Sequence, residues 1–311
     1  MLMPHSKRFI RHRLFTRQWL PFLLIIFACR GGYASSAESV ANPFPGVSHI
    51  RWEKPAPDPQ VAHLVFIALD TPGLRFTTTP SNGPDAPRET WCETVREFVE
   101  RVDAQIGING NYFIYDNERH TELLGLAAAD GNIVSPWGND SYRFALNITK
   151  GNKAVFVERP EDGAGTAKTA PETELYNAVS GQPMLLRNGK ILVGEGGDRH
   201  PRTGVGLTAD NKLLLVVVDG RQPAHSVGMT FREMAELFQT HGALDALALD
   251  GGGSSTLVFA DPTPRVVNVP MPTALPLDVV LDPPGIERKN GNNLAVFVPP
   301  RGNAQDEAAM P

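Results

Sequence analysis

Residues 212–219, Lys-Leu-Leu-Leu-Val-Val-Val-Asp, and residues 244–256, Leu-Asp-Ala-Leu-Ala-Leu-Asp-Gly-Gly-Gly-Ser-Ser-Thr, bracket the part of the chain that decides the fold. Each opens as an apolar run and reaches an acid, Asp219 or Asp250. Lys212–Val218 is β-branched and reads as a buried strand, and Leu244–Leu249 reads as the next one. Between them Thr230-Phe-Arg-Glu233 is a capping box, with Met229 and Met234 at the two positions of a hydrophobic staple. Phe231, Met234, Ala235 and Phe238 then form one apolar stripe, and Gly242 closes the helix at C′. Strand, helix and strand predict a β–α–β unit over 212–250, with parallel strands and a right-handed crossover. If the strands are neighbours, Asp219 and Asp250 emerge at one carboxyl edge, where ligand sites of α/β sheets lie. The expected fold class is therefore α/β (mixed α+β): a single domain with a mixed β-sheet flanked by helices.

Chemistry gathers at the second acid. Gly251, Gly252 and Gly253 let the backbone approach a ligand closely and take φ > 0. Their N–H groups, with the hydroxyls of Ser254 and Ser255, suit a phosphate. An acid/base residue and an anion cradle would sit together there. The plain structural alternative is that both aspartates only start turns, since Asp-Gly is a common turn signal.

A chain of 311 residues with 41% hydrophobic content can bury the core of one large domain or two small ones. The N-terminus reads as an address. Lys7, Arg8, Arg11, Arg13 and Arg17 precede an apolar run from Trp19 to Ala28, and small residues follow at 34–37. That pattern is a secretory signal peptide, residues 1–37, with a run too short for an ordinary transmembrane helix. Cleavage near Ser36 or Ala37 gives an exported protein, periplasmic or secreted. A lipoprotein exit through Cys29 fits less well, because Phe27 and Arg30 suit that motif badly; only that exit would give a membrane partner. Without residues 1–37, which hold six of the 29 basic side chains and no acidic one, 23 basic face 34 acidic side chains, net −11. Such a domain excludes nucleic acid as the expected partner. Cys92 is then the sole cysteine, so neither a disulfide framework nor a Cys-based zinc site is expected.

Residues 38–60 read as an extended lead-in, 61–299 as the catalytic domain and 300–311 as a disordered tail. Within the domain, Val61–Leu69 reads as a strand, Thr71–Pro87 as a loop and Glu93–Val102 as a helix. Gln105–Phe113 follows as a strand, then several short strands lie within Leu123–Val157, and Asp162–Pro171 is a loop of small residues. Met184–Leu192 is a hairpin turned at Asn188-Gly189.

Four segments together resemble the phosphodiester glycosidase family: Gly107–Phe113, Ser180–Pro183, Arg199–Gly206 with Asp219–Arg221, and Asp250–Ser254. The family pattern runs Asn-Gly-Gly-Phe-Phe, Pro-Arg-Thr-Ala-x-Gly, Asp-Gly-Arg or Asp-Gly-Gln, and Leu-Asp-Gly-Gly-Gly-Ser. This chain has Asn109-Gly110-Asn111-Tyr112-Phe113, Pro201-Arg202-Thr203-Gly204-Val205-Gly206, Asp219-Gly220-Arg221 and Leu249-Asp250-Gly251-Gly252-Gly253-Ser254. The order and spacing agree over roughly 105–298, and Asn111 departs from the family glycine.

The resemblance implies hydrolysis of a sugar-1-phosphodiester at the anomeric carbon with no cofactor required, and the export signal makes an envelope or extracellular glycan the expected target. Phosphate is a good leaving group, so stabilising charge on phosphate and on an oxocarbenium-like sugar matters more than general-acid help. Asp219 and Asp250 are the candidate base or nucleophile and electrostatic support, in either order. Arg202, a planar fork matched to phosphate oxygens, is expected to bind phosphate with Gly251–Gly253 and Ser254. Thr203 beside it, Asn109 and Arg221 are candidate substrate ligands, and His200 is a possible acid/base. His225 and His241 lack a convincing partner spacing and read as surface or helix-end residues.

Two other functions fit the same residues. One is a metal-dependent phosphoesterase, in which Asp219, Asp250 and His200 or His225 hold a divalent ion and the P–O bond breaks. The other is a non-catalytic glycan-binding envelope module.

Overall fold

The computed structural model describes residues 35–138, 141–159, 174–271 and 286–299. Residues 1–34, which hold most of the expected signal peptide and Cys29, the expected loop at 162–171 and the expected tail from 300 lie outside these.

The α/β expectation is overturned: among the described residues there are two α-helices against a run of strands in four sheets, and every pairing is antiparallel. The largest sheet has eight strands in the order Ala37–Phe44, Val47–Lys54, Gln60–Ala68, Lys212–Val218, Arg202–Thr208, Ala243–Ala248, Met184–Arg187 and Lys190–Ile191. Residues 38–60 are thus no mere lead-in, since most of them form the two outer strands on that side.

The β–α–β unit is corrected in the same way. Lys212–Val218 and Ala243–Ala248 run in the same sense but do not pair. Arg202–Thr208 lies between them and is antiparallel to both. Its two glycines lower its strand propensity and make it hard to read from sequence. The structure explains both. A Cβ on Gly204 would lie 2.6 Å from Met234 Cε, and one on Gly206 would lie 2.9 Å from Phe238 Cδ1. Bare backbone lets the helix settle directly on the middle strand.

That helix, α2 (Phe231–Thr240), starts as its sequence demands. Thr230 and Glu233 cap each other's backbone, and Met229 and Met234 are both buried. Met234, Ala235 and Phe238 pack on Leu64, Leu214, Val216, Leu185, Ala246 and Ala248 of the large sheet. Truncating a fully buried residue such as Phe238 to Ala costs about 3–5 kcal/mol. Helix α1 (Val95–Val102) carries a matching capping box from Thr94 and Glu97.

Strand alternation sends Val205, Leu215, Val217 and Leu247 to the opposite face. There they meet Ile106, Ile108, Leu257, Leu294 and Val296 of a five-stranded sheet, ordered Pro264–Val266, Leu257–Ala260, Ile106–Asn109, Asn293–Phe297 and Arg75–Thr78. The second five-stranded sheet adds Leu146, Ile148 and Val179 to this core. A three-stranded sheet, Thr90–Trp91, His120–Leu123 and Phe113–Tyr115, continues from the end of Ile106–Asn109. The hairpin at Asn188-Gly189 is present, both turn residues having positive φ. With the same sense and one strand between, Asp219 and Asp250 leave the same edge of the large sheet roughly 10 Å apart.

Candidate active site

Asp250 is fixed through its backbone by the second layer of the core. Its N–H donates to Gly110 O at 3.1 Å, and its carbonyl accepts from Asn109 Nδ2 at 2.6 Å. Asn109 Oδ1 in turn accepts from Thr203 Oγ1 at 2.8 Å and from the Thr256 N–H at 3.3 Å. Both Asn109 and Thr203 are buried, with these atoms committed to one another and to Asp250. They position the acid from beneath rather than facing a ligand.

The Asp250 carboxylate accepts from Arg288 Nη2 at 2.8 Å and from Ser254 Oγ, and Arg288 also reaches Ser254 Oγ. Burial pushes the Asp250 carboxyl above its ordinary value, while Arg288, Ser254 and the Gly251 N–H pull the other way. Tyr112 and Tyr142, with ring centroids 5.3 Å apart, stand within reach of that charge. Burial raises both phenols, and the Asp250 charge adds to the effect.

The glycines do less anion binding than their composition promises. The Gly252 N–H donates to Pro201 O at 2.8 Å, and Gly251 turns its N–H toward Asp250. Gly252 has φ +61°, and a Cβ on Gly251 would stand 2.9 Å from Pro201 O, so a side chain fits badly at either. Gly252–Ser254 forms a single 3-10 turn with Gly253 and Ser254 buried. The three glycines shape the loop around Asp250 more than they offer a cradle.

Arg221 stands beside this loop. Its backbone is left-handed, φ +59°, and its guanidinium lies 3.2 Å from where a Cβ on Gly252 would stand. Among the described residues it makes no hydrogen bond or ion pair. Burial and then the Arg288 charge hold its pKa below the ordinary value, as expected for a partly desolvated cation beside another.

Arg202, by contrast, is engaged. Its Nε donates to Met229 O at 3.0 Å, its Nη2 to Asp198 O at 2.9 Å, and its guanidinium lies 3.8 Å from the Phe231 ring centroid. It anchors the start of α2 and contributes its charge to the site from there. His200 has a buried Nδ1 with no partner among the described residues. Burial, then Arg221 and Arg202, push its pKa down.

Asp219 belongs to a separate, closed set. Its Oδ1 accepts from Asn268 Nδ2 at 3.0 Å and the Val269 N–H at 2.9 Å, and its Oδ2 meets His225 Nε2 at 2.7 Å. The side chain is wholly buried, whereas that of His225 is 31% exposed. Asp219 raises the His225 pKa, chiefly through this hydrogen bond. His225 therefore does have a partner, contrary to the expectation from spacing. Asn268 also donates to Ser255 O at 3.0 Å and so ties Asp219 to the loop that carries Ser254. Asp219, Asp250, His200 and His225 do not converge: among the described residues, no group of three or more His, Cys, Asp or Glu side chains could hold a metal ion.

The family profile described as phosphodiester glycosidase matches residues 103–297, more than half of the chain. The chain belongs to the phosphodiester glycosidase family. The chain is 26% identical over 216 residues to the N-acetylglucosamine-1-phosphodiester α-N-acetylglucosaminidase of Mus musculus, covering 63% of this chain and 39% of the mouse protein. An uncharacterised SPβ-prophage protein of Bacillus subtilis (strain 168), YomE, is 44% identical over 172 residues, covering 52% of this chain and 25% of that protein. The chain thus spans a quarter to about two fifths of the length of these relatives. Among solved structures, the catalytic domain of the zebrafish N-acetylglucosamine-1-phosphodiester α-N-acetylglucosaminidase, auto-inhibited by its pro-peptide, shares the fold. The TM-score is 0.59 and the identity 21%, over 85% of this chain and 83% of that one.

Sequence reading of this family domain missed Arg288. Its signal was weak but present: Asn290, Asn292 and Asn293 crowd polar groups just before an apolar strand, and all three are buried. Asn292 accepts from the Asn111 N–H at 2.6 Å and donates to Asn111 Oδ1 at 3.2 Å. Asn111 also accepts from the Ser180 N–H and donates to Leu126 O. The family departure at 111 thus ties the Asn109–Phe113 loop to its neighbours.

Proposed function

We propose that this chain hydrolyses a sugar-1-phosphodiester on the glycosidic C–O side. The observation that carries the reading is the buried Asp250 and Ser254 held by the half-buried Arg288, beside an Arg221 guanidinium that has no partner among the described residues. A carboxylate and an unneutralised cation suit the two ends of one bond, the sugar that gains positive character and the phosphate that departs with charge. Asp250 supplies the carboxylate that attacks the anomeric carbon, directly or through a water. Arg288 and Ser254 align it and favour its ionised form against burial. Arg221 takes the phosphate, and Arg202 adds field from the start of α2. Asp219 acts as a positioning residue that orients His225 and braces the loop through Asn268. Family membership supports this reaction, and the mouse relative's name points to an N-acetylglucosamine-1-phosphodiester as the first substrate to try. The basic and apolar N-terminal residues support export and hence an envelope or extracellular glycan as the natural target.

The test is turnover of a sugar-1-phosphodiester panel in oxygen-18 water, with and without EDTA. Label in the sugar, with activity surviving EDTA and lost in Asp250→Asn, supports the reading. Label in the phosphate moves the reaction to P–O cleavage and ends it.

A further inference from the structure

The candidate site continues beyond Arg288. Its guanidinium carbon lies 5.4 Å from the centroid of the Phe113 ring, and the Phe113 and Tyr115 centroids are 6.0 Å apart at 40°. Phe113 and Tyr115 alternate onto the same face of their strand, paired with Leu123 and Thr121. From Asp250 outward the order is therefore Arg288, Phe113, Tyr115. Phe113 is half-buried and seated against Gly291, where even a Cβ would come within 2.7 Å of it. Tyr115 is 57% exposed, so its ring is open to a ligand. Trp91 and Ile114 are also exposed but lie on the reverse face, the Trp91 ring centroid 4.0 Å from that of His120 and tilted by 53°.

We propose that Phe113 and Tyr115 form an aromatic track that binds pyranose rings of a glycan running outward from Asp250. The proposal rests on the sugar-phosphodiester reading for its direction, and on the ring geometry for its chemistry. A pyranose presents a flat face of C–H groups that a ring covers at little entropic cost, and its hydroxyls stay solvated at the rim. The strand residues that share the face of Phe113 and Tyr115, Thr90, Thr121 and Leu123, are uncharged, while His120 and Glu122 pair with Trp91 and Ile114 on the reverse face. A neutral saccharide fits such a surface better than a charged ligand does. Continuity with the candidate site selects a glycan over an unrelated protein partner.

The experiment measures equilibrium binding of the full chain to neutral hexose and N-acetylhexosamine tetrasaccharides and to the matching monosaccharides. Tyr115→Ala is expected to weaken the best tetrasaccharide about tenfold, ~1.4 kcal/mol. Tyr115→Phe, which keeps the ring, is expected to bind like the parent. Because these probes lack a phosphodiester, their binding does not depend on turnover. Saccharide affinity that needs the Tyr115 ring in a chain that cleaves no sugar-1-phosphodiester would sink the catalytic reading and keep the track. Turnover lost in Asp250→Asn, with tetrasaccharide affinity identical in parent and Tyr115→Ala, overturns the track alone. So does a parent that binds none of the probes, or a Tyr115→Ala change confined to the sedimentation coefficient, which marks the face as a protein interface.

Discussion

Arg288 Nη2 sits 2.8 Å from Asp250 Oδ2 although 38 residues separate the two in sequence. The pair sets the ionisation of a buried acid, so its consequences can be read by pH. Burial raises the Asp250 pKa and Arg288 is the largest pull downward. The reacting form is the carboxylate, so kcat/KM should fall as pH drops through a value above 3.8, the ordinary one. Arg288→Ala should move that acid limb to higher pH, and Ser254→Ala should move it the same way by less. Stability gives an independent readout. An acid with a raised folded pKa contributes stability below its unfolded value and loses it as pH rises through the folded one. The Tm gap between parent and Arg288→Ala should therefore widen from acid to alkaline pH. Asp250→Asn should lower kcat on the order of 10³-fold. A pH profile for Arg288→Ala that superimposes on the parent's would refute the coupling.

Arg221 combines a charge unpaired among the described residues with a left-handed backbone, and three substitutions separate the two. Arg221→Ala and Arg221→Gly should each raise KM for a phosphodiester substrate on the order of 10- to 100-fold. Arg221→Lys should recover only part of that, since it offers a point charge without the fork. In thermal unfolding Arg221→Gly should exceed Arg221→Ala by about 1 kcal/mol, because only glycine takes φ +59° freely. Equal Tm values for the two would argue against backbone strain there.

For the Asp219–His225 pair the Tm gap between parent and variant should narrow as pH rises, whereas that for Arg288→Ala widens. His225 gains a carboxylate partner and its pKa rises from 6.5. Its contribution is fully present below about pH 6.5 and disappears as pH rises through the higher folded value. The Tm difference between parent and His225→Gln should be larger at about pH 5.5 than at about pH 9. In Asp219→Asn the ring should titrate lower by NMR; an unmoved titration would show that the hydrogen bond does not govern it.

Gly206→Ala tests the seat of α2. Its Cβ would meet Phe238 Cδ1 at 2.9 Å and Asp245 O at 3.1 Å, an overpacking worth about 1–3 kcal/mol. Phe238→Leu relieves one of the two contacts, so the double variant should lose less than the sum of the single losses in urea unfolding. Strict additivity would mean the ring is not what the new methyl strikes.

What could be read in the sequence was local. The capping box at Thr230–Glu233, the staple of Met229 and Met234, and the Asn188-Gly189 turn are each short-range chemistry and stand where the residues put them. What could not be read was which strand lies beside which. Arg202–Thr208 carries two glycines, has little strand propensity of its own, and earns its central place from a helix that needs bare backbone beneath it. Missing it turned one same-sense strand pair into an imagined parallel sheet. The site divides along the same line. Asp250, Ser254 and Arg221 cluster because they share an edge, whereas Arg288 and the His225 contact are long-range or turn-made and leave no periodic trace. Asn109, Thr203 and Arg202 have residue types that suit substrate contacts, and the fold uses their polar atoms for bracing.

That bracing has a mechanical meaning. Asp250 hangs by its N–H and carbonyl from Gly110 and Asn109, which belong to the second layer of the core, while the strand that delivers it belongs to the first. Parting the layers and disarming the acid are then a single event. Heat should abolish activity at the temperature where the tertiary signal collapses, with no folded but inactive form on the way.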